Sequence, residues 1–536
     1  MGRRLRKNMS DYYTPISELG KPYNAAVRFI EENLEQGRGD KTAIYFEDDQ
    51  ITYRQLKEKV DQFASALADA GIEHENRILM LLHDSPQFFY TFYGSIKHGA
   101  VPIPVNILGT VRDYTYYLNN SRAKMIVVHK DLWDRIKEAR DEFAYLEHVV
   151  VVTEGEEAPE GTIDFDSFIE GKPAYPKAFY SSPDDTAFWL YTSGSTGRPK
   201  GVMHRQTSME YALDNFAKKV LKITEDDVTL SASKLFFAYG LGNGMFFPLG
   251  VGASTVLLKD KPTPQLIFEA IEKYKPSIFF GVPTLYGAML DFHDRSEKKY
   301  DLSSIRVCVS AGEQLPATFV TRWKEAFDLD ILDGIGSTEA LHIYLSNTPG
   351  NVKPGSTGKL VPGYDAKIVD ENLNEVGVNE VGELMLKGDS ILSGYWNNRA
   401  ENRRKFYGEW MSTGDQYLKD EDGYFWYKGR TDDMMKVGGI WVSPIEIESV
   451  LISHEDILEV AVVGLETEDG LMKPKAYIVL KEGVEASEEK AQELKDYCRS
   501  NLAKHKFPRE IEFMDELPKT TSGKIQRFKL RQVERV

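Results

Sequence analysis

The sequence predicts an α/β protein: a large N-terminal domain of parallel-rich sheets covered by helices, with a small antiparallel subdomain, followed by a small α+β C-terminal domain on a hinge. The chain of 536 residues is too long for one hydrophobic core, so two or more domains are expected. Short apolar runs, each followed by turn residues and then helical spacing, predict the parallel-rich sheets. From about Gly355 onward, short alternating runs between glycine turns predict the antiparallel subdomain.

The N-terminal part alternates between predicted strands and helices. Residues 43–53 predict two short strands around an acidic turn, and the apolar spacing from Leu56 to Leu67 predicts a helix that ends near Gly71. Further strands are predicted at 78–82, 101–105, 125–129, 254–258, 278–282 and 307–310. This alternation is typical of a largely parallel sheet with helices on both faces.

The C-terminal part begins after the polar turn Gly429–Asp433. Beyond this turn, residues 445–452 and 487–502 predict helices, and residues 458–464 and 476–480 predict strands. We therefore expect a domain boundary at Asp432. The N-terminal domain would comprise residues 1–431, with its antiparallel subdomain at about 355–431, and the mobile C-terminal domain residues 432–536.

The composition argues against several classes of protein. Lys+Arg 66 against Asp+Glu 83 gives a net charge of −17, which disfavours a general nucleic-acid or anionic-membrane surface. Cys308 and Cys498 are far apart, so neither a disulfide framework nor a cysteine-rich metal site is expected. No long apolar run is present, and the basic residues 1–8, which could equally be a ragged start before Met9, precede no apolar signal segment. The expectation is a soluble protein of the reducing cytoplasm.

The stretch Tyr191–Val202, YTSGSTGRPKGV, predicts a phosphate-binding loop. It lies between a strand-like run and a helix-compatible run from about His204, so a strand-to-helix turn is expected. Glycines allow backbone N–H groups to approach an anion, and hydroxyls add donors. Neither Gly194 nor Gly197 has a glycine five positions on, which disfavours a Walker-type NTPase. The flanking apolar runs and Lys200 disfavour a flexible surface linker.

Five stretches in chain order resemble the adenylate-forming superfamily of acyl-CoA synthetases, carrier-protein adenylation domains and luciferases. They are the loop at 191–202, Gly334–Glu339, Ser412–Asp415, Gly429–Asp433 and Pro518–Lys524. More narrowly, KLFFAYGLGN at 234–243 and GIGSTEALHIYLSN at 334–347 look like benzoate–CoA ligases, and the similarity runs over nearly the whole chain.

This resemblance implies a two-step reaction with ATP, Mg²⁺ and coenzyme A. A carboxylate and ATP would give an acyl-adenylate and pyrophosphate, and the CoA thiolate would then give a thioester and AMP. Because the first step brings two anions together, positioning and charge neutralisation must dominate catalysis. The β- and γ-phosphates would be held by loop residues, with Lys200 either adding a cation or remaining solvated. These loop residues are Thr192, Ser193, Gly194, Ser195, Thr196 and Gly197.

The resemblance also implies the catalytic residues. Lys524 would bridge the carboxylate and the α-phosphate, and Asp432 would be the hinge about which the small domain rotates. Glu339 would be the Mg²⁺ ligand, since this hard cation prefers oxygen donors, and Thr338 would support the α-phosphate. The structural alternative for Glu339 is a helix-start glutamate, and for Lys524 an exposed lysine.

The nucleotide and CoA contacts are implied in the same way. The adenine site would comprise Ala311, Gly312, Glu313, Asp333 and Gly334. Asp415 would accept from the ribose hydroxyls with Arg430 assisting, unless it is a simple turn aspartate. Gly438 and Gly439 would line the pantetheine tunnel. Ile335 departs from the commoner family pattern, which has an aromatic residue there, so aliphatic contact would replace stacking on adenine.

The acyl pocket implied by the resemblance is a slot for one ring. It would be lined by Ala238, Tyr239, Gly240, Ala311, Gly334, Ile335 and His342. His342 would give the slot a polar edge, or it would be a satisfied core residue in the apolar run ALHIYL.

The leading interpretation is an AMP-forming aryl carboxylate–CoA ligase, most similar to benzoate–CoA ligases. Three alternatives stay open: a stand-alone adenylation enzyme that loads a separate carrier protein, a ligase for a substituted benzoate, and a degenerate ligase that senses acyl groups or nucleotide. The partners expected are an aromatic carboxylic acid and CoA, without nucleic acid or membrane. The sequence leaves a homodimer open and does not decide which aryl or cyclic acid is preferred.

Overall fold

The computed structural model describes residues 22–192, 198–437, 440–466, 472–502, 506–519 and 525–532. The chain divides into two compact units. The first comprises Met1–Tyr211 and Leu392–Trp396, and the second comprises Ala212–Ile391 and Asn397–Val536.

The strands are mostly short, as expected for an α/β protein. They are β1 (Thr42–Phe46), β2 (Asp49–Thr52), β3 (Arg77–Leu81), β4 (Val101–Pro104), β5 (Met125–His129), β6 (His148–Val152), β7 (Ile163–Asp164), β8 (Thr186–Thr192), β9 (Lys200–Arg205), β10 (Val228–Ser231), β11 (Ser254–Leu257), β12 (Ile278–Gly281), β13 (Val307–Ser310), β14 (Ile331–Gly336), β15 (Ile343–Ser346), β16 (Lys359–Leu360), β17 (Asp365–Val369), β18 (Gly382–Lys387), β19 (Gly394–Tyr395), β20 (Phe406–Tyr407), β21 (Trp410–Lys419), β22 (Phe425–Arg430), β23 (Met435–Val437), β24 (Ile440–Val442), β25 (Ile457–Glu466), β26 (Met472–Leu480) and β27 (Glu510–Phe513).

The helices range from single turns to the long helix α2. They are α1 (Glu32–Glu35), α2 (Tyr53–Asp69), α3 (Pro86–His98), α4 (Val111–Ser121), α5 (Lys130–Ile136), α6 (Phe165–Ile169), α7 (Ser208–Ala212), α8 (Ala238–Leu241), α9 (Phe247–Val251), α10 (Pro264–Tyr274), α11 (Pro283–Arg295), α12 (Ala317–Phe327), α13 (Arg399–Lys405), α14 (Pro444–Leu451), α15 (Glu488–Asn501) and α16 (Arg527–Gln532). Val27–Glu31, Leu213–Lys218 and Gly242–Phe246 are π-helical, and Lys137–Glu142 and Thr431–Asp433 are 3₁₀-helical. None of the described helices combines the length and apolar character needed to cross a membrane.

A parallel sheet organises the first unit, in the order β4-β3-β5-β6-β7. Strands β3, β5 and β6 are almost fully buried, as their continuous apolar runs predicted, whereas the edge strand β7 is not. Helix α4 packs on this sheet with Tyr114 and Leu118 in the core. It begins at a capping box in which Thr110 and Asp113 satisfy each other's backbone N–H groups.

The predicted strand-to-helix turn at the glycine-rich loop is wrong: the loop joins two strands. Strands β8 and β9 pair antiparallel, with Tyr191 opposite Gly201, and helix α7 begins only at Ser208. Strand β9 also pairs with β19, a segment far along the chain. Strand β9 therefore has one pairing partner close in the chain and one that is distant.

In the second unit, β11, β10, β12, β13 and β14 form parallel pairs, and β15 and β16 continue the sheet antiparallel. The predicted antiparallel subdomain is confirmed as the sheet β17-β18-β21-β20, with β22 added to β21. The predicted C-terminal α+β elements are also confirmed: strands β25, β26 and β27 form a sheet whose core includes side chains of α14 and α15.

Candidate active site

The two ends of the glycine-rich loop are held in the β8–β9 hairpin of the first unit. Thr192 ends β8 opposite Lys200, the first residue of β9, and both are half-buried. The Lys200 ammonium lies 5.2 Å from the centroid of the Tyr395 ring. Lys200 is therefore not a fully solvated loop lysine. Residues Ser193, Gly194, Ser195, Thr196 and Gly197 lie outside the described residues.

The ends of β13 and β14 bring two unpaired polar atoms to one face of the second unit's sheet. Ser310 and Asp333 are register partners on parallel strands, so their side chains share a face. Neither Ser310 Oγ nor Asp333 Oδ1 has a hydrogen-bond partner among the described residues. Burial raises the pKa of Asp333 well above its usual range, although backbone N–H groups of Gly334 and Leu315 act in the opposite direction. Buried polar groups are normally paired, so a ligand with donor groups would suit this edge.

The other predicted adenine-site residues lie next to this edge. Ala311, Gly312 and Glu313 follow β13 directly, and Gly334 follows Asp333 in β14. Gly312 has a φ of +102°, a backbone conformation that residues other than glycine rarely adopt. Ile335 pairs with Leu345 across the antiparallel β14–β15 pair and is half-buried.

Thr338 and Glu339 lie in the turn between β14 and β15, and both are half-buried. The structural alternative of a helix-start glutamate is wrong, because β15 rather than a helix follows the turn. Ser337 Oγ fixes the turn by accepting from the Ala340 N–H at 3.1 Å. Glu339 contributes to the raised pKa of the Tyr344 hydroxyl, behind burial and the charge of Asp415, so these carboxylates share one region.

Within the part of the chain that the structure describes, Glu339 does not belong to a group of three or more His, Cys, Asp or Glu side chains that could hold a metal ion together. Among the described residues, the group of His, Asp and Glu side chains close enough to bind an ion together is His454, Asp456 and Glu493. The Lys490 ammonium already pairs with Asp456 at 2.8 Å and with Glu493 at 2.7 Å, so that group is an ion-pair network. Glu339 would supply one carboxylate, and Mg²⁺ commonly takes its other ligands from phosphates and water.

Asp415 and Arg430 form an ion pair on neighbouring strands. They are register partners in the β21–β22 pair, and Arg430 Nη1 donates to Asp415 Oδ1 at 3.0 Å. Asp415 is 6% exposed and lies inside a strand, so the alternative of a simple turn aspartate is wrong. The charge of Asp415 is the main cause of a raised pKa at Arg430. The pair therefore presents a fixed cation beside a buried carboxylate.

The predicted acyl-pocket residues lie on helix α8 and after the β14–β15 turn. Ala238, Tyr239 and Gly240 belong to α8, and the Tyr239 hydroxyl donates to the Val309 carbonyl at 3.2 Å. A Cβ on Gly240 would lie 2.1 Å from the Lys234 carbonyl oxygen. Glycine is therefore required at this position because the backbone of Lys234 lies so close, and not only because a small residue leaves room for a flat slot.

His342 is 2% exposed and lies among aromatic rings. Ring centroids lie 4.4 Å away for Phe247, 5.4 Å for Phe216 and 5.6 Å for Tyr239. Burial lowers the pKa of His342 to about 3, so the imidazole is neutral near pH 7. Its Nε2 lies within hydrogen-bond distance of Asn243 Oδ1, at 3.1 Å.

Of the residues predicted for the hinge, the pantetheine tunnel and the catalytic lysine, the structure describes only Asp432. Asp432 lies in a 3₁₀ turn after β22, and its carbonyl accepts from Arg531 at 3.1 Å. Gly438, Gly439 and Lys524 lie outside the described residues.

Two residues around the site had no assigned role in the sequence analysis. Asn243 holds the His342 ring, and Glu383 Oε1 accepts from the Ser412 hydroxyl and from the Gly414 N–H ahead of Asp415. Asn243 follows Tyr239 by four positions, a helical spacing that could have indicated a shared face. No local pattern indicates Glu383, because its partners are on another strand.

Comparison with known proteins gives two family matches. A profile of the AMP-binding enzyme family matches residues 30–396, and the AMP-binding enzyme C-terminal domain matches residues 446–524. The chain belongs to the AMP-binding enzyme family. This confirms the resemblance seen in the five motifs, and the fold class with it.

Individual relatives cover nearly the whole chain. The benzoate–CoA ligase of Thauera aromatica is 47% identical over 520 residues, covering 96% of this chain and 97% of that protein. The crystal structure of the anthranilate CoA ligase AuaEII in complex with anthranoyl-AMP has a TM-score of 0.92 and 41% identity, covering 97% of this chain and 99% of that one. The benzoate CoA ligase from Burkholderia xenovorans LB400 has a TM-score of 0.87 and 41% identity, covering 95% and 100%.

Proposed function

We propose that the protein is an AMP-forming benzoate–CoA ligase. Benzoate and ATP give benzoyl-AMP and pyrophosphate, and CoA then gives benzoyl-CoA and AMP. The observation that carries the proposal is the aromatic surrounding of His342, with a neutral imidazole in place of a charged group. The apolar ring of benzoate can pack against these aromatic side chains without leaving a buried charge unpaired. The 47% identity to a benzoate–CoA ligase, over 96% of this chain, supports the same acid.

The nucleotide would be held by residues at the strand ends and on β21. The unpaired Oδ1 of Asp333 supports an adenine contact near Ala311–Glu313. The buried Asp415, fixed by Arg430, supports acceptance from the ribose hydroxyls. Thr192, Lys200 and the loop between them would hold the pyrophosphate that leaves, with Glu339 binding Mg²⁺ and Thr338 supporting the α-phosphate. Mg²⁺ would supply charge neutralisation at the phosphates.

The proposal includes a mobile C-terminal domain of residues 432–536 that turns about Asp432. Residues 397–445 lie between the two regions that match the family profiles, and Asp432 falls in this interval. Lys524 would act in the first step, while Gly438 and Gly439 would line the path of the pantetheine in the second. The two buried, unpaired thiols Cys308 and Cys498 support a reducing, cytoplasmic setting.

A second candidate is a ligase for an amino- or hydroxybenzoate. His342 Nδ1 and Ser310 Oγ lack hydrogen-bond partners among the described residues, and a polar ring substituent would pair with such atoms. The similar structure that holds anthranoyl-AMP makes the test worthwhile.

The deciding experiment is a panel of benzoate, 2-aminobenzoate, hydroxybenzoates and cyclohexanecarboxylate, assayed for AMP release with ATP and CoA. The highest kcat/KM is expected with benzoate. A higher value for a substituted acid would replace benzoate by that acid. Pyrophosphate release without any CoA thioester would instead favour the loading of a carrier protein, and no pyrophosphate with any acid would favour a sensor.

A further inference from the structure

Helix α4 contacts both ends of the glycine-rich loop, within the first unit. The Tyr116 hydroxyl donates to the Pro199 carbonyl at 2.8 Å, immediately before β9. On the other side, the Tyr191 hydroxyl at the end of β8 donates to Asn120 Oδ1 at 2.7 Å. Tyr116 and Asn120 are four positions apart in α4, so they lie on one face of the helix.

We propose that Tyr116 and Asn120 are positioning residues that hold the two ends of the phosphate-binding loop in one geometry for the adenylation step. The proposal rests on the proposed function, because it requires that the loop bind the phosphates of ATP. Helix α4 would thus contribute to ATP binding although it lies outside the loop motif at 191–202.

Further contacts restrain helix α4 relative to the strands at the two ends of the loop. Trp396 donates through Nε1 to the Asn120 carbonyl at 2.9 Å and through its backbone N–H to the Gly201 carbonyl at 2.9 Å. It therefore joins α4 to β9 a second time. The Tyr191 ring lies 4.5 Å from the Tyr117 ring and 6.4 Å from the Tyr116 ring, centroid to centroid. These contacts restrict the rotamers of the hydroxyl-bearing side chains.

Both hydroxyls stay protonated and so remain donors across the working pH range. Burial raises the pKa of Tyr191 well above its ordinary value, and burial also raises the pKa of Tyr116. Helix α4 is itself anchored by the capping box at Thr110 and by Leu118 in the core. A helix fixed in this way can define where the loop begins and ends.

The consequence differs between the two half-reactions. Adenylation requires the phosphates to be held in line with the attacking carboxylate, and small misplacements of such groups slow reactions strongly. Thioester formation starts from the acyl-adenylate, after pyrophosphate has left. Loss of the α4 contacts should therefore affect the first half-reaction and the use of ATP, and spare the second.

The test uses Tyr116→Phe and Asn120→Ala, alone and combined. Asn120→Ala removes the bond to Tyr191 but keeps the backbone carbonyl that binds Trp396. The matched control is Tyr114→Phe, which removes from the same helix a hydroxyl that donates to the Asn106 carbonyl at 3.0 Å, outside the loop. The readouts are benzoate-dependent ATP–pyrophosphate exchange, thioester formation from supplied benzoyl-adenylate, and the Kd of α,β-methylene-ATP.

Each single variant should lower kcat/KM for ATP in the exchange by about 3- to 10-fold, the loss expected for one hydrogen bond. The KM for benzoate and the rate of thioester formation should not change, and Tyr114→Phe should match the wild type in all readouts. Equal loss in both half-reactions, the same loss in Tyr114→Phe, or no loss in either variant would overturn the proposal.

If the proposed function is wrong, the result differs. The wild-type protein would then show no benzoate-dependent ATP–pyrophosphate exchange. The Kd of the ATP analogue then decides the positioning role alone: a Kd raised about 3- to 10-fold in both variants supports it, and an unchanged Kd overturns it.

Discussion

His342 should make the protein less stable on mild acidification, and the size of the effect follows from its surroundings. Its pKa in the folded protein is about 3 because of burial, against about 6.5 for an exposed histidine. The folded state excludes a proton that the unfolded state binds, so stability is fully present above about pH 6.5 and is lost as the pH falls towards 3. Between pH 7 and pH 5 the loss amounts to about 2 kcal/mol at this one residue.

The perturbation that isolates this contribution is His342→Gln, which keeps a side chain able to form a hydrogen bond with Asn243 but does not titrate. Thermal unfolding of both proteins at pH 7, 6 and 5 would be compared, because shifts due to other groups cancel in the difference. Between pH 7 and pH 5, the Tm of the wild type should fall by roughly 3 °C more than the Tm of the variant, given the size of the second compact unit, which contains His342. Parallel curves for the two proteins would refute a buried neutral imidazole.

Three further variants test the proposed mechanism. Asp415→Asn should lower kcat/KM for ATP by about 10- to 150-fold through a lost charged hydrogen bond, whereas Asp420→Asn, which removes a carboxylate bound to Lys353 and Trp426, should leave it unchanged; equal losses would contradict the ribose role. Lys524→Ala should slow adenylation by about 100- to 1,000-fold yet spare thioester formation from supplied benzoyl-adenylate, and an equal loss in both steps would argue against that division. Asp432→Pro keeps the carbonyl that binds Arg531 but fixes φ; it should keep adenylation and slow CoA transfer by about 100-fold, while normal overall turnover would exclude rotation at this residue.

The sequence predicted the strands that are buried on both faces, because such strands are continuous apolar runs. Val307–Ser310 is an example: the predicted strand and the observed β13 have the same bounds. The strand β9 was missed because its residues, KGVMHR at Lys200–Arg205, do not form a continuous apolar run. A local pattern contains propensity and periodicity but not the pairing partner.

The same limit applies to the candidate site. The motifs predicted a set of site residues, and within that set the structure brings Asp415 together with Arg430. The partner of His342 could not be predicted, since Asn243 is 99 positions away. Nor could the contact of Tyr116 with Pro199, which spans 83 positions. Hydrogen bonds between distant segments depend on how the elements pack.

Benzoate–CoA ligase activity is tested most directly by the product balance of the purified protein with benzoate, ATP, Mg²⁺ and CoA. One pyrophosphate, one AMP and one benzoyl-CoA are expected for each benzoate consumed, with benzoyl-AMP accumulating when CoA is left out. Release of ADP and phosphate in place of AMP and pyrophosphate, or AMP formation that does not depend on benzoate, would contradict it.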